Sequence, residues 1–294
     1  MAFDLKRFVE KLRVSDGAWG TQLQAAGLPP GGAPELWNAE NPDAVEAVAR
    51  SYVEAGSDCI LTNSFTGNRF LLERHGAGDR AAELMSSAVA ISRRAANEAV
   101  RVFASMGPTG KIVMMEEVPA AEIVAAYAEL AAPAADAGAD AVVLETFNEL
   151  DELKLAHEGV RRGCDLPVIC SMTFGSGPDG TATTMGNTPA DLAAAAEEAG
   201  AAAIGANCGV GPGNYVRVAE LLRAASELPV WIKPNAGMPR IGPGGQTVFR
   251  MGPEEFTGHV PDLAAAGARI IGGCCGTTPE HIRLVREAVD RLAP

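Results

Sequence analysis

Two adjacent cysteines, Cys274 and Cys275, stand among the glycines Gly272, Gly273 and Gly276 in the segment IIGGCCGTTPEH. A third, Cys208, lies in GANCGVGP and is again followed by glycine. Neighbouring strand residues point to opposite faces, so Cys274 and Cys275 can share one ion only where the chain leaves strand geometry, which glycine permits. Three thiolates on one face suit zinc, and three protein ligands leave a fourth tetrahedral position open for water or substrate. That is the ligand count of a catalytic zinc, since a closed structural site normally has four protein ligands. A thiol pair inside a glycine cluster is poor apolar filler, whereas Cys59, Cys164 and Cys170, each alone in an apolar or helix-end setting, read as small buried hydrophobes.

Carboxylates form the second group. Asp16 in DGAWGTQL and Glu145 in VVLETF each follow a short apolar run, where either could hold a substrate ammonium. The structural alternatives are a turn or helix cap for Asp16 and an ion pair in a barrel mouth for Glu145. The four histidines, His75, His157, His259 and His281, lack HExxH spacing, so none is assigned to the metal and each is expected at a surface or helix end.

These residues need a frame that brings distant segments together. Along the 294 residues a short apolar, β-branched run alternates with a longer Ala-rich amphipathic stretch. Strands are expected around Val14-Ser15, CILT from Cys59, VFASM from Val102, AVVLE from Ala141, VICSM from Val168, AAIGAN from Ala202, VWIK from Val230 and RIIGG from Arg269. Helices are expected from Pro42, Ala120 and Pro189, several opening on proline and closing on glycine. The motif of helix, glycine stop and buried strand recurs as ADAGADAVVLE, EEAGAAAIGAN and AAAGARIIGG.

Eight βα units in this length predict an α/β chain folded as a single (β/α)8 TIM barrel spanning 1–294, with zinc at the C-terminal face of the strands. An open doubly wound sheet is the competing architecture, but it would show an early phosphate-binding glycine turn and fewer strands. The first residues, MAFDLKRFVEKLRV, predict an amphipathic N-terminal helix over about 3–13. The glycine-rich patches GSGPDG from Gly175 and MPRIGPGGQ from Met238 lack the Lys-Ser/Thr of a phosphate loop and read as turns.

Composition narrows the partners. With 47% hydrophobic and 21% charged residues the chain can build a core. A net charge of −13 without a basic run argues against nucleic acid. No signal-like stretch or long apolar run points to a membrane, and a cytoplasmic setting is expected. Six cysteines are too few for a disulfide scaffold, which leaves thiols for metal or chemistry.

The ordered set DGAWGTQLQ, ELWN, AGSDCILTNSF, GPTG, LETF, MTF, TMGNTP, GANCGVGP, KPNAG and GGCCGTTPEH resembles the homocysteine S-methyltransferase family nearly end to end. That family includes the homocysteine module of cobalamin-dependent methionine synthase and betaine–homocysteine methyltransferase. The resemblance implies Zn2+ on Cys208, Cys274 and Cys275, the homocysteine amino group on Asp16 and Glu145, and its carboxylate on backbone groups of Gly17 and Ala18. Asn63, Asn207 and Asn235 lie in matching strand-end segments as further substrate contacts. The implied reaction transfers a methyl group to the zinc-bound homocysteine thiolate and forms methionine.

The donor stays open between betaine, S-methylmethionine and a methylated corrinoid protein. Ending at Pro294, the sequence is expected to lack the folate- and cobalamin-binding regions of full-length methionine synthase, and the C-terminal extension of the animal betaine enzymes. Only Trp19 and Trp37 offer aromatic faces near the mouth, and Phe65-Thr66 carries no tyrosine where the animal betaine enzymes have one. The alternative is a zinc- and homocysteine-binding acceptor module that needs a separate methyl-corrinoid or folate partner protein.

Overall fold

The computed structural model describes residues 3–242 and 247–292. Eight parallel strands form the expected barrel: β1 (Arg13–Val14), β2 (Cys59–Leu61), β3 (Arg101–Met106), β4 (Ala141–Phe147), β5 (Val168–Met172), β6 (Ala203–Cys208), β7 (Val230–Pro234) and β8 (Ala268–Ile271). β1 pairs with β8, and a parallel bridge from Ser15 to Cys59 joins it to β2, which closes the ring. The helices expected from Pro42, Ala120 and Pro189 run Pro42–Glu54, Ala120–Asp136 and Pro189–Ala199. The last carries a full capping box between Thr188 and Asp191 and stops on Gly200 in the left-handed region.

Strand alternation divides the apolar residues into two cores. Val142, Leu144, Ile204, Val230 and Ile232 face the helices, whereas Phe103, Val143, Ile169, Trp231 and Ile270 fill the barrel itself. At Gly205 an added Cβ would lie 2.4 Å from the Trp231 carbonyl oxygen and 3.0 Å from its indole Cδ1, so glycine lets the neighbouring strand and its indole pack close.

The N-terminal helix differs from expectation. It spans only Leu5–Phe8, capped by Asp4, and Leu5, Phe8 and Val9 pack into the interior core. The amphipathic pattern continues past Phe8, but Arg13 and Val14 are claimed by pairing with Ile270 and Ile271, and Val14 N donates to Asp58 Oδ2 at 2.8 Å. Barrel closure overrides helical propensity there.

GSGPDG forms a turn as expected, with Gly177 and Gly180 at positive φ and Ser176 bridged to Ala182. Of the second patch, Arg240–Ile241 pairs antiparallel with Thr247–Val248; the turn expected at 243–246 lies outside the described residues. Among the described residues no helix is long and apolar enough to cross a membrane.

Candidate metal and substrate site

The three cysteines meet at the C-terminal end of the barrel. Cys208 is the last residue of β6 and holds a left-handed φ of 65°, uncommon for a residue with a side chain. Cys274 and Cys275 lie beyond β8, where the chain has left the strand: Cys274 N donates to the Pro234 carbonyl at 2.8 Å and Ala236 N to that of Cys275 at 2.9 Å. Gly273 permits this course, because a Cβ there would come within 2.4 Å of Thr277 Oγ1.

The three Sγ atoms lie within 4.8 Å of one another. A tetrahedral zinc with Zn–S bonds of about 2.3 Å holds its sulfurs roughly 3.8 Å apart, so the cluster needs only a small contraction. As free thiols the three divide their protons unevenly. Hydrogen bonds from Cys274 and Cys275 hold Cys208 down to about 3, while the bond to Cys208 pushes Cys274 up to about 12 and Cys275 upward as well. One thiolate is what the cluster stabilises alone; three need a cation. Asn235 donates from Nδ2 to Cys208 Sγ at 3.5 Å and to the Gly209 carbonyl at 2.7 Å, and its buried Oδ1 has no partner. A lone acceptor beside a thiol cluster fits a cation.

A cavity of about 480 Å³ opens over the thiols. Gly17, Ala18, Asn63 and Glu145 line it with the three cysteines, whereas Asp16, Asn207 and Asn235 stand behind its wall. Glu145 sits at a slip in the β4–β5 register between Leu144 and Phe147, a bulge of the kind that re-aims side chains. Ser105 Oγ donates to its Oε1, and only a long 3.5 Å contact from Asn207 Nδ2 reaches Oε2. Burial raises the Glu145 carboxyl to about 7, against the pull of nearby Lys233.

Asp16 is fully engaged within the protein. Oδ1 accepts from Ser15 Oγ at 3.0 Å and Lys233 Nζ at 2.6 Å, and Oδ2 accepts from Trp19 Nε1 and Leu61 N, both at 2.7 Å. Ala18 N likewise already donates to Thr277 Oγ1 at 3.1 Å. Asn63 Nδ2 bonds to the Pro34 carbonyl and to Asn38 Oδ1, which ties the β2 loop to the following turn. Trp19 reaches the cavity wall and Trp37 does not.

One histidine departs from expectation: His157 is buried in the interior of the helix Leu150–Gly163 and shares its inward face with Leu153, Ala156 and Val160. His281, also buried, lies at a helix end as expected, in the first turn of Pro279–Leu292, where it bonds Thr278 and the Met251 carbonyl. Cys59 and Cys170 are buried as expected, and Cys164 is partly so.

Sequence reasoning missed Lys233, which is 2% exposed yet lines the cavity. The signal was the period of two in VWIK: with Trp231 inward, Lys233 must also point inward, one layer nearer the mouth. Glu35 and Ser105 were missed too, and both reach the cavity wall.

The family model described as homocysteine S-methyltransferase matches residues 13–289. The chain belongs to the homocysteine S-methyltransferase family. It is 36% identical over 302 residues to methionine synthase of Mycobacterium tuberculosis and 35% over 306 residues to that of Mycobacterium leprae, covering 96% and 98% of this chain but 25% of each relative. The chain thus spans about a quarter of the length of these relatives. The metallated form of the Escherichia coli homocysteine methyltransferase MmuM shares the fold, with a TM-score of 0.79, 24% identity, and coverage of 96% of this chain and 99% of that one. Family and fold therefore agree with the resemblance carried by the motifs, and the barrel puts the family's cysteine motifs on one face.

Proposed function

We propose that the protein is a zinc-dependent homocysteine S-methyltransferase that forms methionine. The observation that carries this reading is the meeting of Cys208, Cys274 and Cys275 at one side of a cavity that also exposes the Glu145 carboxylate. Zinc held by the three thiolates would keep the substrate sulfur deprotonated at neutral pH, where a free thiol is mostly protonated. The chain's own residues supply the rest. Glu145 Oε2, with its spare acceptor capacity, receives the substrate ammonium, and Ser105 and Asn207 hold the carboxylate in place. Gly17 and Ala18 form the wall beside it, where a side chain at Gly17 would strike Tyr52 and Thr277 at 2.8 Å. Such fixed placement favours in-line methyl transfer by restricting the reacting atoms to a productive geometry.

A specific observation favours a second reading of the donor. Of the seven exposed large hydrophobic side chains among the described residues, all but Leu292, namely Ile112, Met114, Met115, Met185, Met238 and Ile241, belong to the segments that follow β3, β5 and β7, so they rim the open end of the barrel. An apolar rim suits a protein surface more than a small soluble donor. On this reading the chain is an acceptor module to which a methyl-corrinoid or folate protein brings the methyl group.

Turnover separates the two. Zinc-loaded protein with homocysteine should form methionine either from betaine or S-methylmethionine alone, or only when a methylated corrinoid protein is added. Absence of both homocysteine binding and methionine formation under every condition would overturn the functional reading.

A further inference from the structure

We infer that homocysteine occupancy is coupled to the order of the outer rim of the barrel mouth, through a bonded line that runs from the thiol cluster to the turn Val113–Met115. The inference rests on the homocysteine reading above and adds a conformational response to it.

Among the described residues, three other than glycine hold a left-handed φ: Cys208 at 65°, Thr146 at 67° and Glu116 at 53°. Residues with side chains rarely adopt this conformation, which persists only where the surroundings enforce it and gathers at ligand clamps and switch regions. Here the three are linked. Cys208 follows Asn207, whose Oδ1 accepts from Thr146 N at 2.8 Å and whose Nδ2 donates to Thr146 Oγ1 at 2.6 Å. Glu149 stands just beyond, at the start of the helix Leu150–Gly163, yet its carboxylate does not cap that helix. Instead Oε2 accepts from Val113 N at 3.0 Å and Oε1 from Met114 N at 2.8 Å. The turn so held ends on Glu116, whose N donates to the Val113 carbonyl at 2.9 Å.

The two ends of the line differ in what they touch. Thr146 and Cys208 line the cavity beside Glu145, whereas no residue of 107–119 or 148–149 does, so any response of the turn to substrate is indirect. The loop has a firm end and a clamped end. Thr109 N and Oγ1 both donate to the buried Glu152, while Ile112, Met114 and Met115 are exposed and their turn is held by the partly exposed Glu149. Two arrangements follow: clamped, with Glu116 kept left-handed, and released, with that strain relieved. A ligand shifts such an equilibrium only by favouring one arrangement. Homocysteine with its sulfur beside Cys208 and its ammonium on Glu145 fixes Thr146 from both sides and thereby favours the clamped one. The loop that carries Met185 joins the same segment, since Thr184 Oγ1 donates to Asn148 Oδ1 at 3.1 Å and Leu150 N to Asn187 Oδ1 at 3.2 Å. Empty and occupied protein thus present different rims to whatever brings the methyl group.

The test is amide hydrogen exchange of residues 113–116 in zinc-loaded protein with and without saturating homocysteine, binding being checked by calorimetry on the same sample. In wild type homocysteine should slow exchange there by roughly 5- to 150-fold, the ordinary range of coupling between sites. Glu149→Ala should exchange fast at 113–116 and ignore homocysteine, and its homocysteine affinity should fall by no more than the wild-type slowing, since coupling is reciprocal. Glu116→Gly keeps the clamp and removes the strain, so its exchange without homocysteine should already approach the occupied wild-type rate. Bound homocysteine that leaves exchange at 113–116 unchanged in wild type, or a Glu149→Ala protein that responds as wild type does, would overturn the coupling. Failure of homocysteine to bind zinc-loaded wild type would instead bring down the functional reading, and the coupling with it.

Discussion

Asn207 grips Thr146 at two points: its Oδ1 accepts from Thr146 N at 2.8 Å and its Nδ2 donates to Thr146 Oγ1 at 2.6 Å. Thr146 has a φ of 67°, a conformation that costs a β-branched residue about 1–3 kcal/mol and persists only when its surroundings enforce it. The grip fixes the bulge that turns Glu145 into the cavity. The Asn207 carbonyl in turn accepts from Tyr215 Oη at 2.7 Å and from Thr173 Oγ1 at 3.1 Å, so the helix Pro212–Ala225 and the segment after β5 brace the same residue.

Asn207→Ala should therefore weaken both fold and substrate binding. It leaves the Thr146 amide and the Ser171 hydroxyl without their acceptor, and stability should fall by about 2–3 kcal/mol in urea titrations. Homocysteine affinity should drop with zinc still bound. A variant with wild-type stability and affinity would show that Asn207 does not support Glu145.

Removal of any one thiol should abolish metal binding without unfolding the barrel. Wild type should hold about one zinc per chain, and Cys208→Ala, Cys274→Ala or Cys275→Ala should lose it, because two thiolates make a poor zinc site. Far-UV circular dichroism should stay unchanged, since the cysteines sit at strand ends and outside both apolar cores. Stoichiometric zinc in any of the three variants would contradict the assigned ligand set.

Much of the frame was legible in the sequence because barrel strands are buried on both faces and announce themselves as apolar runs between glycine stops. CILT, VICSM and VWIK each mark a strand at nearly its true position. The thiol cluster was legible for another reason: adjacent cysteines among glycines have few structural uses. The engagement of Asp16 was not, since its four donors come from Ser15, Trp19, Leu61 and Lys233, the last of which lies 217 residues away. Nor was the short first helix, because the pairing of Arg13 with Ile270 depends on closure of the whole ring.

Glu145 should leave a signature in the pH dependence of stability of the metal-free protein. Burial raises its carboxyl from 4.5 to about 7, so between those values the folded state binds more protons than the unfolded state. The contribution is fully present below 4.5 and is lost as pH rises through about 7. The span corresponds to about 3 kcal/mol. Glu145→Gln lacks this titration, so the wild type should lose stability relative to the variant between pH 5 and 8. Parallel stability curves for the two proteins would show that Glu145 is not held in its buried, proton-retaining setting.

Homocysteine should bind through its sulfur at the metal, and a proton should reveal it. Three protein thiolates do not complete a tetrahedron, and zinc accepts a fourth sulfur readily. A thiol with a pKa of about 8.5 arrives largely protonated at pH 7.5 and must lose that proton on coordination, so titration calorimetry in buffers of different ionisation enthalpy should count a substantial fraction of one proton released per site. Homoserine retains the ammonium and carboxylate of homocysteine but offers an alcohol, a far poorer zinc ligand, so it should bind much more weakly and release no proton. Absorption spectroscopy at the zinc edge gives the direct count. A change from three sulfurs to four on adding homocysteine is the expected result, and an unchanged shell in the bound complex would refute coordination through sulfur.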